Sequence, residues 1–376
     1  MGSLLAARQA ARVMAALSAS AFAALALAAP PSIAPTAVTT PAAFGQALHA
    51  WAAEHRIVRA FVVVRRDGRT VYRSALGGAD ADAPVHLASL SKAITAACVA
   101  TLIRDGKLAF STPVSAALAR FIAAHGEPRD PLLARVTVAQ LLTHRAGFAN
   151  DDDDDPVSGR NLDRYLRHHT SRAPPKPSLL AAVLQAKLAR EPGAQFAYGN
   201  AAYFVLGAII EEASREPYLA YCRRAVLAPM AIAGGLEPAW AVAAAMAGWR
   251  MRAEDYLEFL DLLAADDLRL GAVAKQWMLD PVGKSVPPDN TAWYGLGTYL
   301  RKGEGGIEAW HWGSWDYWPE KWERGTVRTS FVAYAKRMSD GTAWFVHAEP
   351  RVEEGEGRTD LVRGLENTYR SVRTWN

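Results

Sequence analysis

Residues 89–106, SLSKAITAACVATLIRDG, mark the point where the spacing of apolar side chains changes along the chain. Ahead of this stretch, short runs of β-branched residues are typical of strands. Within it, one face at helical spacing carries Leu90, Ile94, Ala97 and Thr101. Gly106 then supplies a helix stop signal. The stretch therefore predicts a helix that begins at Ser89.

The runs ahead of this helix, 57–66 and 69–76, are joined by Asp67-Gly68. That dipeptide is typical of a type I′ turn, so the two runs predict a β-hairpin. A helix is expected before them, over 46–55. Strand patterns return near the end of the chain, at 293–300, 308–312, 327–336 and 342–347. Asp340-Gly341 predicts a second hairpin turn between the last two strands.

The segment from about 110 to 285 is mostly helical in pattern, and an amphipathic helix closes the chain after residue 360. Strands at both ends with helices between them predict an α/β (α+β) fold. Its antiparallel sheet would be built from both chain ends and flanked by helices, with an all-helical domain inserted. We place the sheet domain at 45–92 and 286–376, and the helical domain at 93–285.

The N-terminal residues, 1–28, predict a signal peptide. Arg8 and Arg12 precede an apolar run, which ends in the cleavage-site pattern Ala26-Leu27-Ala28. A Pro-rich linker follows at 29–44. The mature protein is therefore expected to be periplasmic or secreted, with no stable membrane insertion after cleavage. The alternative is an uncleaved N-terminal anchor.

The composition excludes several classes of protein. The chain has 376 residues, is 51% hydrophobic and carries a net charge of only +4, which gives no reason to expect nucleic-acid binding. Two cysteines exclude a disulfide-rich scaffold and a cysteine-based zinc module. For Cys98 and Cys222 we favour two buried thiols, although pairing after export stays open. The acidic run at 151–155 predicts a solvated loop instead of a calcium site.

Three short motifs carry the candidate chemistry. They are Ser89-Leu90-Ser91-Lys92, Tyr198-Gly199-Asn200 and His311-Trp312-Gly313, and each of the patterns S-x-x-K, Y-x-N and H-x-G occurs once. A serine hydroxyl becomes a good nucleophile only when a neighbouring base removes its proton. Since a lysine three positions along a helix lies on the same face, Lys92 is expected beside Ser89.

Both Lys92 and Tyr198 have reference pKa values near 10, so either needs its surroundings to make it a base at neutral pH. The residues alone leave open which one takes the proton from Ser89. The N–H groups of Ser89 and Ser314 are expected to form an oxyanion hole. Asn200 is expected to orient the substrate or the lysine.

The third motif is expected to bind substrate. We place His311 and Trp312 at the end of a strand beside the site, with Gly313 allowing a substrate close to the backbone. A packed histidine without a chemical role is the alternative for His311. No metal or cofactor is expected.

These motifs resemble the serine β-lactamase and D-Ala-D-Ala peptidase superfamily, specifically its class C-like branch, which also contains esterases. Supporting segments are LLTHRAG at 141–147, EPG at 191–193 and YGLG at 294–297. The resemblance covers about residues 45 to 376. It implies a sheet domain packed on a helical domain with the site at their junction. It also implies that Ser89 is acylated while Lys92 and Tyr198 exchange its proton.

Two departures from the class C pattern bear on the substrate. His311 stands where class C β-lactamases typically have lysine, and a neutral imidazole binds a carboxylate less strongly than an ammonium group does. As an imidazolium, His311 could bind anionic substrates below a pH of about 6.5, its reference pKa. Second, Trp315, Trp318 and Trp322 follow Gly313 in place of a Gly-rich turn. Together with Trp310 and Trp312 they indicate either ordinary packing or an aromatic wall of the pocket.

The sequence therefore predicts an exported serine hydrolase that forms an acyl-enzyme on an ester, or on an amide or β-lactam-like substrate. Its partner would be a small-molecule ester, a peptide or a β-lactam. One alternative is a D-Ala-D-Ala carboxypeptidase, that is, a penicillin-binding protein. Another is a non-catalytic binding protein on the same fold.

Overall fold

A computed structural model describes residues 40–149, 155, 157, 176–236, 238–317 and 329–375. Its helices are α1 (Ala42–Glu54), α2 (Ser91–Arg104), α3 (Val114–Ala117), α4 (Ala119–His125), α5 (Pro131–Arg135), α6 (Val138–Leu142), α7 (Lys176–Leu184), α8 (Ala201–Ser214), α9 (Tyr218–Cys222), α10 (Ala253–Phe259), α11 (Ala272–Leu279) and α12 (Glu356–Ser371). Its strands are β1 (Arg59–Arg66), β2 (Arg69–Leu76), β3 (Val85–His86), β4 (Gly234–Leu236), β5 (Trp249–Met251), β6 (Ser285–Val286), β7 (Ala292–Gly295), β8 (Thr298–Gly303), β9 (Gly306–Tyr317), β10 (Thr329–Arg337) and β11 (Ala343–Glu349).

The main sheet joins the two ends of the chain, as the strand pattern predicts. Its eight strands lie in the order β2-β1-β11-β10-β9-β8-β7-β6, and every pair is antiparallel. Strand β1 lies between β2 and β11, so the first hairpin pairs with the last strand. Asp67 and Gly68 both have positive φ, 49° and 73°, which confirms the predicted hairpin turn. A second, three-stranded sheet has the order β3-β5-β4.

The middle of strand β1, residues 60–64, is apolar without interruption because both faces of the sheet are covered. Val62 and Val64 face a layer that includes α1 and α12. Phe61 and Val63 face the larger helical layer on the other side. Because successive side chains of a strand point to opposite faces, a run without alternation is what burial on both faces requires.

Helix α2 lies in the middle of the helical layer and is buried on all sides, from Ser91 to Ile103. The expectation of a single apolar face is therefore too narrow. Its polar residues find partners inside the protein; Thr95 Oγ1, for example, donates to the carbonyl oxygen of Ala245 at 2.6 Å. A helix buried all round is rigidly held, and α2 is the helix that carries Lys92.

The preference for two buried thiols is wrong. Cys98 on α2 and Cys222 at the end of α9 form a disulfide, with their Cα atoms 5.5 Å apart. The two cysteines are 124 residues apart in sequence, and only the packing of α9 against α2 brings them within bonding reach.

The signal peptide, the linker and the domain boundaries remain predictions. The signal peptide at 1–28 and most of the linker at 29–44 lie outside the described residues. In the part of the chain that the structure describes, no helix has the length and apolar character needed to cross a membrane. The described elements belong to one compact unit, Thr39–Asn376, so the boundaries proposed at 92/93 and 285/286 are not tested.

Candidate active site

The turn before α2 places Ser89 beside Lys92. Ser89 lies in a short 3-10 helix, Ala88–Leu90, which leads directly into α2. Because Lys92 is one turn further on, its Nζ lies 3.0 Å from Ser89 Oγ and donates a hydrogen bond to it. Ala88 has a φ of 45°, in the left-handed region that residues with a β-carbon rarely adopt. The nucleophile candidate therefore follows a strained residue that the surrounding structure must hold.

Lys92 is fully buried, and its amine is surrounded by hydrogen-bond acceptors. Besides Ser89, Nζ donates to Asn200 Oδ1 at 2.9 Å and to the carbonyl oxygen of Met246 at 3.0 Å. Burial lowers the pKa of Lys92 to about 7, an effect that the negative charge of Asp155 partly opposes. An amine with this pKa is largely unprotonated slightly above neutral pH, so it can accept a proton there.

Tyr198 also lies close to the Lys92 amine. The centre of its ring is 5.0 Å from Lys92 Nζ, and its hydroxyl is buried without a hydrogen-bond partner among the described residues. Burial, and then the nearby Tyr299, raise the pKa of Tyr198 well above its usual value. The Ser89 hydroxyl is close enough to lower this pKa in part, although the two side chains form no hydrogen bond of normal geometry. These directions favour Lys92 as the base and Tyr198 as a proton donor.

Asp155 is a residue of this site that sequence reasoning missed. The acidic run at 151–155 is expected to be solvated, yet Asp155 is only 3% exposed. Its Oδ2 accepts hydrogen bonds from the backbone N–H groups of Asn200 at 2.6 Å and Ala201 at 3.4 Å. The prediction is therefore wrong for Asp155, and residues 151–154 lie outside the described part. Nothing in the run itself distinguishes its last aspartate from the others.

His144 is a second such residue. It belongs to the segment at 141–147 that supports the resemblance, but its position gives it no role from sequence alone. Its ring is 4.3 Å from the Tyr198 ring, and its Nδ1 accepts a hydrogen bond from the Gly199 N–H at 3.4 Å. Burial, and then the positive charge of Lys92, hold the pKa of His144 well below its usual value. A neutral His144 therefore contacts the turn that carries Tyr198 and Asn200.

His311 lies in the middle of β9, not at the end of a strand as predicted. Strand β9 is longer than its apolar pattern indicates because its pairing with β10 continues to Tyr317. His311 Nδ1 bonds to the carbonyl oxygen of Trp312 at 2.5 Å, which makes Nδ1 the protonated nitrogen. The Tyr294 hydroxyl then donates to Nε2 at 3.0 Å. Burial lowers the pKa of His311 to about 3, so an imidazolium at pH 6.5 is not expected.

Gly313 lies where the sheet packs closely on the turn that presents Ser89. A β-carbon at this position would collide with the backbone of Leu87, two residues before Ser89. The missing side chain therefore accommodates the protein's own turn, and the approach of a substrate at Gly313 stays a prediction. Gly297 of the YGLG segment is similar, because a β-carbon there would collide with the backbone of Lys92. Strand β9 at Gly313 and the β7–β8 turn at Gly297 thus pack closely on the Ser89–Lys92 turn.

A cleft of about 660 Å³ opens next to these residues. Ser89, Tyr198, His311 and Ser314 line one part of it, and Trp310 and Trp312 line another. Polar side chains of α12, among them Arg358, Glu366 and Arg370, form the remaining wall. The predicted site residues therefore border this one cleft, except for Lys92, Asn200 and Gly313. Lys92 contacts Ser89, and Asn200 contacts Lys92.

Trp310 and Trp312 agree with both alternatives from the sequence, ordinary packing and an aromatic wall of the pocket. Trp310 stacks on Tyr299 with 5.9 Å between ring centres, and Trp312 lies 4.3 Å from the ring of Tyr334, so both pack as well as line the cleft. Trp315 is partly buried against the helical layer. Trp318 and Trp322 lie outside the described residues.

Solved structures show the same fold. A D-stereospecific amidohydrolase from Streptomyces sp. superposes with a TM-score of 0.68 at 20% identity, covering 86% of this chain and 97% of that one. A hydrolase with promiscuous acyltransferase activity, EstCE1, gives a TM-score of 0.66 at 17% identity, covering 88% and 99%. At these identities the likeness concerns the fold.

Sequence relatives point to the family. Esterase EstB from Burkholderia gladioli is 31% identical over 211 residues, which are 50% of this chain and 48% of EstB. The match thus spans about half the length of that relative. The family model described as Beta-lactamase matches residues 42–339, which is most of the chain. The protein therefore belongs to the beta-lactamase family.

Proposed function

We propose that this protein is an exported serine hydrolase that cleaves an ester, or an amide of the β-lactam or D-amino-acid type, through an acyl-enzyme on Ser89. One observation carries the proposal: the amine of Lys92 lies 3.0 Å from Ser89 Oγ, and burial lowers its pKa to about 7. Such an amine accepts the serine proton at neutral pH without needing a metal or an ionised phenol.

Acylation would begin when Ser89 Oγ attacks the carbonyl carbon and its proton passes to Lys92 Nζ. The carbonyl oxygen then carries negative charge, which the backbone N–H groups of Ser89 and Ser314 would stabilise. When the bond to the alcohol or amine breaks, the Tyr198 hydroxyl gives the leaving group a proton and regains one from the Lys92 ammonium. Water later attacks the acyl group, the same residues move the proton in reverse, and Ser89 is restored.

An ester is the favoured substrate. The 31% identity to EstB over half of the chain supports it. His311 supports it too, since a pKa of about 3 leaves this side chain without the positive charge that would attract an anionic β-lactam. The tryptophans on the cleft wall suit an apolar acyl or alcohol group.

A carboxypeptidase acting on D-Ala-D-Ala termini is the second candidate. Arg358 lines the same cleft, its guanidinium lying 5.3 Å from the ring of Trp312. A guanidinium at this place can bind the terminal carboxylate of a peptide. Hydrolysis rates for a short-chain aryl ester, nitrocefin and a D-Ala-D-Ala peptide, measured side by side, separate these candidates.

Export is part of the proposal. The apolar segment at 13–28 with its cleavage-site pattern supports it. The disulfide between Cys98 and Cys222 supports it independently, because such bonds form and persist mainly in oxidising compartments.

The test is covalent labelling with a fluorophosphonate, followed by the mass of the intact protein. We expect one adduct on the wild type and none on Ser89→Ala. The matched control is Ser91→Ala, which removes a buried hydroxyl that accepts from the Trp249 N–H. This variant should be labelled if it folds. An adduct that persists in Ser89→Ala, or no labelling and no ester hydrolysis by the wild type, would defeat the proposal and leave a binding protein.

A further inference from the structure

We propose that Asp155 is a positioning residue of this site, whose buried carboxylate holds the Tyr198-Gly199-Asn200 turn in place and supplies the negative charge that acts on Lys92. This inference rests on the proposed function, because it assigns Asp155 a part in preparing the same nucleophile. Neither the three motifs nor the resemblance points to this residue.

The carboxylate is bonded to the start of α8. Oδ2 accepts from the N–H groups of Asn200 and Ala201, and Oδ1 accepts from the Val157 N–H at 2.9 Å. The first N–H groups of a helix have no partner within the helix, so a buried carboxylate there satisfies them. Asp155 therefore fixes the backbone from which the Asn200 side chain extends.

Asn200 connects Asp155 to Lys92, the proposed base. While its N–H bonds to Asp155, its side-chain Oδ1 accepts from Lys92 Nζ at 2.9 Å. Gly199 lies directly against the carboxylate, since a β-carbon there would be 3.1 Å from Asp155 Oδ2. The turn is thus held between the carboxylate and the amine, and a shift of the carboxylate would move both Asn200 and Tyr198.

Asp155 also acts on Lys92 directly, through its negative charge. Among the residues that the structure describes, the ionisable side chains that face Lys92 are Tyr198, Tyr203, His144, His311 and Asp155. Burial keeps the two phenols protonated and the two imidazoles neutral. Burial raises the pKa of the Asp155 carboxyl, while its hydrogen bonds from the N–H groups of Val157, Asn200 and Ala201 lower it. Of the described groups, Asp155 is the one whose negative charge raises the pKa of Lys92, which burial lowers. Without this charge, Lys92 would lose its proton at a lower pH.

The experiment compares Asp155→Asn and Asp155→Ala with a matched control, Asp130→Asn. Asp130 also accepts two backbone N–H groups, from Leu132 at 3.0 Å and Leu188 at 3.1 Å, and also lies at a helix start, but it does not border the cleft. Two quantities are measured from pH 5 to 10. One is the rate of fluorophosphonate labelling of Ser89, and the other is the pKa of the Lys92 amine by NMR of ¹³C-labelled lysine, assigned with Lys92→Arg.

For Asp155→Asn we expect the pKa of Lys92 and the acid limb of the labelling profile to move down together, by about 0.5 pH unit or more. The maximal labelling rate should fall about tenfold in this variant and further in Asp155→Ala, because the turn is no longer held. Asp130→Asn should change neither quantity.

An unchanged pKa in Asp155→Asn, or a loss of rate that Asp130→Asn reproduces, would overturn the inference. If the wild type is not labelled but the Lys92 pKa still shifts in Asp155→Asn, the hydrolase function is defeated and the positioning role stands. The NMR titration thus makes the two failures distinguishable.

Discussion

The carbonyl oxygen of Leu87 lies 2.1 Å from the place that a β-carbon on Gly313 would occupy. Strand β9 therefore packs directly on the turn that presents Ser89, and the side chain of Ala88 is in contact range too, at 3.4 Å. This contact explains how Ala88 is kept at a positive φ: the turn has no room to relax towards the strand. The motif at 311–313 thus holds the turn of the motif at 89–92 in place by close packing.

Gly313→Ala should impair the nucleophile more than it impairs the fold. The added methyl group must push the Leu87–Ser89 turn away from β9, which would displace Ser89 from Lys92 and cut fluorophosphonate labelling by about 100-fold. Gly306→Ala on the same strand is the control, because a β-carbon there meets Ser339 at an ordinary 3.5 Å. Equal labelling rates for the two variants would show that the turn tolerates the methyl group.

Lys92→Arg should abolish the base. A guanidinium keeps its proton throughout the accessible pH range, so labelling of Ser89 should fall at least about 100-fold, while the wild type should show an acid limb near pH 7. Lys275→Arg is a matched control, since Lys275 is also buried and donates to the carbonyl oxygens of Leu262 and Ala264. A wild-type profile that is flat from pH 5 to 9 would contradict the role of Lys92.

Buried histidines should make the fold sensitive to acid. Burial lowers the pKa of His311 and of His347 to about 3, whereas an unfolded histidine titrates near 6.5. Between these values the unfolded state binds protons that the folded state does not. The free energy of unfolding should therefore fall as the pH drops below about 6.5, by about 1.4 kcal/mol per pH unit for each histidine.

Urea unfolding at pH 7, 6 and 5 checks this expectation, with His347→Phe as the diagnostic variant. Phenylalanine keeps the stacking with Phe61 and Phe331, whose ring centres lie 5.8 and 5.0 Å from that of His347. The variant should lose one histidine's share of the slope relative to the wild type. An identical slope in the two proteins would count against the buried neutral imidazole.

Reduction of the disulfide should lower stability without changing the site directly. The Cys98–Cys222 bond closes a loop of more than a hundred residues, and breaking it should lower the free energy of unfolding by about 2–5 kcal/mol. Urea unfolding with and without dithiothreitol measures the difference, and the Cys98→Ala, Cys222→Ala double variant should not respond to the reductant. Two free thiols in the denatured, unreduced protein would show that the bond is not formed.

Export should remove the N-terminal segment. When the full-length chain is expressed with its own N-terminus, the mature protein is expected to begin at Ala29 and to be recovered from the periplasm or the medium. Replacing the small residue before the cut, in Ala28→Phe, should block processing at that bond. An intact N-terminus on wild-type protein in the membrane fraction would instead indicate the uncleaved anchor.

Predictions based on short-range patterns agree best with the structure. The Asp67-Gly68 turn, the first hairpin and the return of strands near the C-terminus need only the spacing of neighbouring residues, and all are present. The contact between Ser89 and Lys92 is of the same kind, since one helical turn sets it. The contacts that the sequence patterns did not indicate involve residues distant in sequence: Asp155 with Asn200, Gly313 with Leu87, and Cys98 with Cys222.

The sequence by itself determined that strands at both chain ends enclose a mostly helical segment, and it determined the family resemblance and the three motifs, because periodicity and spacing are properties of a single stretch of chain. Only the tertiary structure decided the environment of each group. Lys92 becomes a candidate base because residues from several distant segments exclude water around it, and His311 becomes neutral because burial removes its ring from water and the nearby Lys92 opposes a second positive charge. A pKa depends on burial and on nearby charges, and both arise only when the chain is folded.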